Sequence, residues 1–297
     1  MTYAPNDTPI SDAPSPGDDL GAVYNCLISN CRYRGRTPTE LFESAIRQAI
    51  DEVIDGPRTG RWSVAQLEKT EKTYIGTKIE IVVRTALGLE RRGPLDTWIA
   101  DVPVDIKWSF KSRWQIPHEA ISQICLLLGT NAKVTRFSVG LLRCELQFLN
   151  AGQNQDGKRT ISLAGRKAMR WVVRNAPIQP NFIATLPDVT RTRVFSPSSG
   201  QARIRELVTL CPEQAIPRTA IETVAQQKDP MRRLRVDQAR HLGGMRVLSG
   251  RYARKIVEAL GHPPLGKDEF MSVRAEKFAE LSAAIQSGAL RSRATDP

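Results

Sequence analysis

The chain has 297 residues, enough for two domains with cores of their own, and its 41% apolar and 25% charged composition excludes a fibre or a disordered polymer. Its 43 lysines and arginines outnumber 31 acids, giving a formal charge of +12. That surplus suits a polyanionic partner, nucleic acid in preference to a membrane surface.

No stretch approaches the roughly 20 apolar residues of a membrane span, and the N-terminus is acidic and proline-rich, not basic and then apolar. A cytoplasmic protein without membrane association is expected. Cys26, Cys31, Cys125, Cys144 and Cys211 are odd in number and scattered. Cys26 and Cys31 flank four residues, but no second close pair follows, and His118, His241 and His262 are remote, so reduced, mostly buried thiols are expected in preference to a zinc site.

Residues 1–19, with Pro5, Pro9, Pro14 and Pro16, read as a flexible tail. Helices are predicted over 20–29 and 39–54, the second capped by Thr37-Pro38-Thr39-Glu40 and closed at Gly56. A third spans 65–87, where Leu67, Ile75, Ile79, Val82, Val83 and Ala86 recur at helical intervals. Of its acids, only Glu80 lies deep among apolar residues. Residues 97–99 and 102–109 read as two strands around a reversal at 101–103, because Trp98, Val102, Val104, Ile106 and Trp108 alternate with polar or small residues. On a strand, positions i and i+2 share a face, so Asp105 and Lys107 point together, away from Val104, Ile106 and Trp108. A hairpin would bring Asp96 alongside them.

These residues have a chemical use. Magnesium takes oxygen ligands, usually one or two carboxylates with retained waters, and a metal-bound water attacks phosphorus while the ion stabilises developing charge. Glu80, Asp96 and Asp105 would hold Mg2+, with Mn2+ as a substitute, and Lys107 would orient the water or offset phosphate charge. A helical acid is usually a solvated group, and an acid-x-lysine step is common by chance. The weight rests on the combination.

Farther along, a short helix is expected at 117–119, buried strands at 124–128 and 138–143, and a helix over 163–173 with Arg166, Lys167 and Arg170 outward. This pattern gives an α/β core with a mixed sheet. Residues 175–199, with Pro177, Pro180, Pro187 and Pro197, read as a linker. Helices at 201–210, 217–225 and 230–242 then outline a helix-turn-helix unit. The third helix carries Arg232, Arg233, Arg235 and Arg240, and 246–248 with 270–274 would supply the strands of a wing. Residues 180–297 hold nineteen basic against twelve acidic side chains, as a phosphate-contacting module would.

Longer stretches carry a resemblance. Asp55-Gly56-Pro57-Arg58-Thr59-Gly60-Arg61-Trp62, Lys69 to Thr73, Gly76-Thr77, Glu80-Ile81, Val104 to Lys107, Gln147-Phe148-Leu149, Gly200 to Arg203 and Thr223 to Gln227 resemble the NaeI-type, or type IIE, restriction endonucleases. The resemblance implies a PD-(D/E)xK nuclease domain over 20–175, a linker over 176–199, and a winged-helix domain over 200–297 that binds a second copy of the DNA target and activates cleavage. It places the family's metal-binding acids on Glu80, Asp96 and Asp105 and its catalytic lysine on Lys107. It also implies a bacterial homodimer acting on palindromic duplexes, two DNA sites per dimer. Where these enzymes carry a sequence similar to the ligase K-x-D-G signature, this chain has Val53, which offers no amine for nucleotidyl transfer.

Expected DNA contacts are Arg58, Thr59, Arg61, Lys69, Lys72, Lys111 and Arg113 in the first domain, and Arg218, Thr219, Lys228, Arg232, Arg233 and Arg235 in the second. Two rival readings stand beside this one: a catalytically silent DNA-binding regulator on a nuclease scaffold, and a repair or nicking nuclease of the same fold. Three converging carboxylates, which repel unless a cation lies between them, weigh against the regulator.

Overall fold

The computed structural model describes residues 18–226, 230–234 and 242–287. Helices α1 (Asp19–Tyr33), α2 (Pro38–Ile54), the single turn α3 (Gly56–Thr59) and α4 (Lys69–Leu87) come first. The start of α2 has the predicted reciprocal cap: the Glu40 amide donates to Thr37 Oγ1 (3.2 Å), and the Thr37 amide donates to the Glu40 carboxylate (2.8 Å). The third predicted helix is in two pieces. Ser63 and Gln66 cap a separate turn at Val64–Gln66, and α4 begins only at Lys69.

The chain divides into two units, Met1–Ile50 with Lys69–Gln179, and Asp51–Glu68 with Pro180–Pro297. The first is built on a mixed sheet of β1 (Thr97–Ile99), β2 (Val102–Phe110), β4 (Ile124–Thr130), β5 (Arg136–Arg143) and β8 (Arg170–Pro177), in that order; β2 and β4 are parallel, and the other neighbours antiparallel. Every residue of β4 is buried, as a central strand requires. A smaller sheet of β3 (Gln115–Ile116), β7 (Arg159–Ile161) and β6 (Leu149–Gln153) accompanies it. Trp114, Ile116, Cys125, Leu127, Leu142 and Leu149 share one hydrophobic cluster.

The predicted helix over 163–173 is only half there. Helix α5 (Leu163–Ala168) stops at Ala168, and Arg170–Pro177 forms β8 on the free edge of β5. Trp171, Val172 and Val173 are aromatic and β-branched, residues that favour a pleated surface, and β5 otherwise presents an unpaired edge.

The expected linker is also structured. It holds α6 (Phe182–Thr185) and α7 (Asp188–Phe195), whose Ile183, Leu186 and Val194 are buried in the second unit's core. Pro180 and Pro187 precede helices, Pro187 being the residue from which α7 starts. The second unit continues with α8 (Gly200–Leu210), β9 (Ile216–Pro217), α9 (Arg218–Ala225), β10 (Met245–Ser249), α10 (Arg254–Ala259), β11 (Glu269–Arg274) and α11 (Ala275–Gln286). The strands pair antiparallel in the order β10-β11-β9. Strands form over both stretches expected for a wing, with α10 between them in the chain. Of the predicted 230–242 helix, the described residues are the 3-10 turn Pro230–Leu234 and Leu242, which lies in a turn.

Residues 51–68, expected in the nuclease domain, pack within the second unit. The segment's backbone comes close to side chains of α9 and its C-cap at two glycines. A Cβ on Gly56 would lie 2.4 Å from Thr223 Oγ1; one on Gly60, at φ +70, would lie 2.3 Å from Gln226 Nε2. Trp62 stacks on Phe195 at 4.9 Å between ring centroids, anchoring the segment to the second core. All five cysteines are free, and among the described residues no helix is long and apolar enough to cross a membrane.

Candidate active site

The β1–β2 hairpin turns through Ala100 and Asp101, both at positive φ (53° and 60°), the double left-handed geometry of a tight antiparallel hairpin. Its register sets Thr97 opposite Val104, which brings the preceding residue, Asp96, beside the middle of β2. There the Ile106 amide donates to Asp96 Oδ2 at 2.8 Å. The hairpin acid is thus tied to the strand that carries the acid-x-lysine step.

Asp105 is only 5% exposed. Lys107 Nζ lies 2.7 Å from Asp105 Oδ2 and 4.0 Å from Asp96 Oδ2, as the shared strand face predicted. That Asp105 oxygen is buried and receives no well-angled hydrogen bond despite the nearby ammonium. Arg84, on α4, approaches Asp96 Oδ1 at 4.0 Å and donates to the Asp96 carbonyl at 3.3 Å. It follows Glu80 by one helical turn, so both side chains lie on the same side of α4. Sequence reasoning missed Arg84 as a site residue; its spacing from Glu80 was the available signal.

The electrostatics tie Glu80 to the same cluster. Burial, reinforced by the charge of Asp96 and, more weakly, that of Asp105, pushes its carboxyl up to about 7. Asp105 is raised to about 6, chiefly by burial and against the pull of Lys107. For Lys107, burial favours the neutral amine, but Asp105, Asp96 and Glu80 outweigh it and hold the side chain as an ammonium above its usual range. The cluster therefore carries more negative charge than its one ammonium and the neighbouring Arg84 offset, the condition under which a divalent cation is bound favourably. Among the described residues, no three acid, histidine or cysteine side chains stand close enough together to hold a metal ion as a group. Asp96, Asp105 and Lys107 meet directly, with Glu80 coupled through charge.

Residues 35–294 match the family model described as restriction endonuclease NaeI. The chain is 35% identical over 228 residues to the type II restriction enzyme NaeI of Lentzea aerocolonigenes, covering 74% of this chain and 70% of that one. The chain belongs to the NaeI family of restriction endonucleases.

For this NaeI-type enzyme, the expected DNA contacts fall into distinct groups. Thr59 is occupied within the fold, its hydroxyl donating to the Ile54 and Asp55 carbonyls, and Arg61 donates to the Ile54 carbonyl. Arg58 pairs with Asp55 at 2.5 Å but remains largely exposed. Lys69 and Lys72 lie in the first turn of α4, and Lys111 and Arg113 in the exposed loop after β2. Arg218 and Thr219 are exposed at the start of α9, where Arg218 also pairs with Glu222. Lys228 and Arg235 lie outside the described residues, as do the side chains of Arg232 and Arg233.

Proposed function

We propose that this NaeI-type enzyme hydrolyses phosphodiester bonds in duplex DNA at a specific palindromic site in a Mg2+-dependent reaction. The observation that carries this reading is the contact of Asp105, Lys107 and Asp96 on one strand and its hairpin, in a charge environment that also raises Glu80. The donor set fits the ion, because these are hard carboxylate oxygens and magnesium needs only one or two of them with retained waters. Glu80, Asp96 and Asp105 would hold it, and when bound it would supply an activated water and stabilise charge on the phosphate.

The chain's own groups have separate tasks. Asp96 uses one oxygen to accept the Ile106 amide, which fixes its orientation. Lys107 is charged at neutral pH and sits 2.7 Å from Asp105, so it would supply a cation to orient the attacking water or to offset charge on the phosphate. The helices and strands of the second unit support a winged-helix reader, with Arg218 and Thr219 at its exposed face and a second DNA copy as activator. A homodimer would set two such sites about a two-fold axis and cut both strands of a palindrome.

The test is cleavage of supercoiled plasmid and genomic DNA by the purified protein with and without Mg2+, beside Asp105→Ala, with sequencing of the ends. Discrete fragments that require both metal and Asp105 support the reading. Salt-sensitive binding without cleavage, on one-site and two-site DNA alike, would move the assignment to the regulator.

A further inference from the structure

A cavity of about 320 Å³ opens at the end of the main sheet, lined by Lys111, Ser112, Thr130, Arg136, Ser138 and Asn175 among others. It lies along the catalytic strand: Lys111 follows Lys107 by four residues, about 13 Å at the rise of an extended chain. Its charge is one-sided. The lining holds an ammonium, a guanidinium, three hydroxyls and the carboxamides of Asn131 and Asn175, and among the described residues no carboxylate. Lys111 forms no ion pair among the described residues, and Arg136 spends one donor on the Asn175 carbonyl (2.6 Å), leaving the others. Thr130 Oγ1 is buried without a hydrogen-bond partner.

The rim is held in shape before anything binds. Lys111 and Ser112 are consecutive non-glycine residues at positive φ (60° and 53°), a conformation that persists only where neighbours enforce it. Here the Lys111 amide donates to the Thr130 carbonyl at 2.7 Å, and Arg166 donates to the Ser112 carbonyl at 2.7 Å while lying over the Trp114 ring. Opposite, the Asn131 side chain accepts from the Thr135 and Arg136 amides and fixes the 131–136 turn.

We infer that this cavity is a subsite for a phosphate of the DNA strand near the scissile bond, with Lys111 and Arg136 as its two positioning cations. It rests on the nuclease reading above and extends it to a contact that sets the register of the duplex over Asp105 and Lys107. A lining with two cations and no carboxylate matches the negative charge of a phosphate better than a neutral base edge.

The experiment measures equilibrium binding, with calcium in place of magnesium, of Lys111→Gln and Arg136→Gln to a duplex containing the cleavage site and to an unrelated duplex of equal length. Each substitution should weaken both duplexes alike and reduce the steepness of log affinity against log salt by about 0.9. In a scan of single neutral methylphosphonates, one position should weaken the wild type and be silent in both variants. Unchanged salt slopes, or a loss confined to the site-containing duplex, would overturn the subsite, the latter in favour of base reading. Lys111 is exposed, so its variant decides alone if Arg136→Gln does not fold. Asp105-dependent cleavage with an unaltered scan would overturn the subsite only, whereas absence of such cleavage would overturn the nuclease reading.

Discussion

Replacing Lys107 with methionine keeps an unbranched stem and removes the ammonium, so it isolates the charge between Asp105 and Asp96. Above about pH 7, Asp105, at about 6, and Glu80, at about 7, are largely ionised in the metal-free protein, and the substitution leaves Asp105 buried without its cation. Breaking one side of a buried pair costs about 3–5 kcal/mol; the low end applies, because the Lys107 side chain is 22% exposed and partly screened. Losing the ammonium raises the folded-state pKa of Asp105 further. The native variant then binds more protons than the wild type over the window above about pH 6, and its relative stability falls as pH rises through it. Near pH 5 Asp105 is already mostly protonated and the penalty shrinks. Denaturant unfolding in chelator, near pH 5 and near pH 8, measures both ends. A penalty of about 3 kcal/mol at the alkaline end that largely disappears at the acid end is expected, together with loss of cleavage. An equal penalty at both pH values would refute the assigned charge balance, and retained cleavage would refute the role of Lys107.

Glu80→Gln should stabilise the metal-free protein near pH 8, because the carboxyl is raised from 4.5 to about 7 and wild-type stability is lost as pH rises across that interval. The gain is at most about 3 kcal/mol before solvent screening, and the same variant should not cleave; a stability loss would contradict the burial cause. Cleavage by the wild type should fall as pH drops below about 7 and recover with added Mg2+, because at the proposed site metal and proton would compete for Glu80, and a profile indifferent to Mg2+ concentration would refute that competition. Gly60→Ala should destabilise the second unit by about 1–3 kcal/mol, with partial recovery in Gly60→Ala/Gln226→Ala; thermal melting that shows no recovery would place the cost in the φ of +70 alone. Arg203→Met removes donors to the carbonyls of Val224 (2.7 Å) and Ala225 (3.1 Å) at the end of α9, and a loss of about 2–4 kcal/mol should appear in the same melts; an unshifted melt would refute that clamp.

Local rules made the strand of the acid-x-lysine step legible. The alternation through Val104, Ile106 and Trp108 places Asp105 and Lys107 together whatever the rest of the chain does, and the Thr37–Glu40 cap was readable for the same local reason. Where local preference and long-range pairing competed, the sequence misled. Residues 170–177 carry arginines at intervals that suit a helix, yet the open edge of β5 draws them into β8. Prolines around α6 and α7 suggested a linker because proline marks turns, while the burial of Ile183 and Val194 depends on partners distant in the chain.

What the sequence by itself determined is the inventory of the site and the pairing of its acid-x-lysine step, since both follow from residue type and the two-residue strand period. Only the tertiary structure decided that Asp96 is tied to the Ile106 amide, that Glu80 is raised toward neutrality, and that residues 51–68 pack under α9. Burial, charge coupling and close backbone approach depend on which distant segments meet, and no local pattern encodes that.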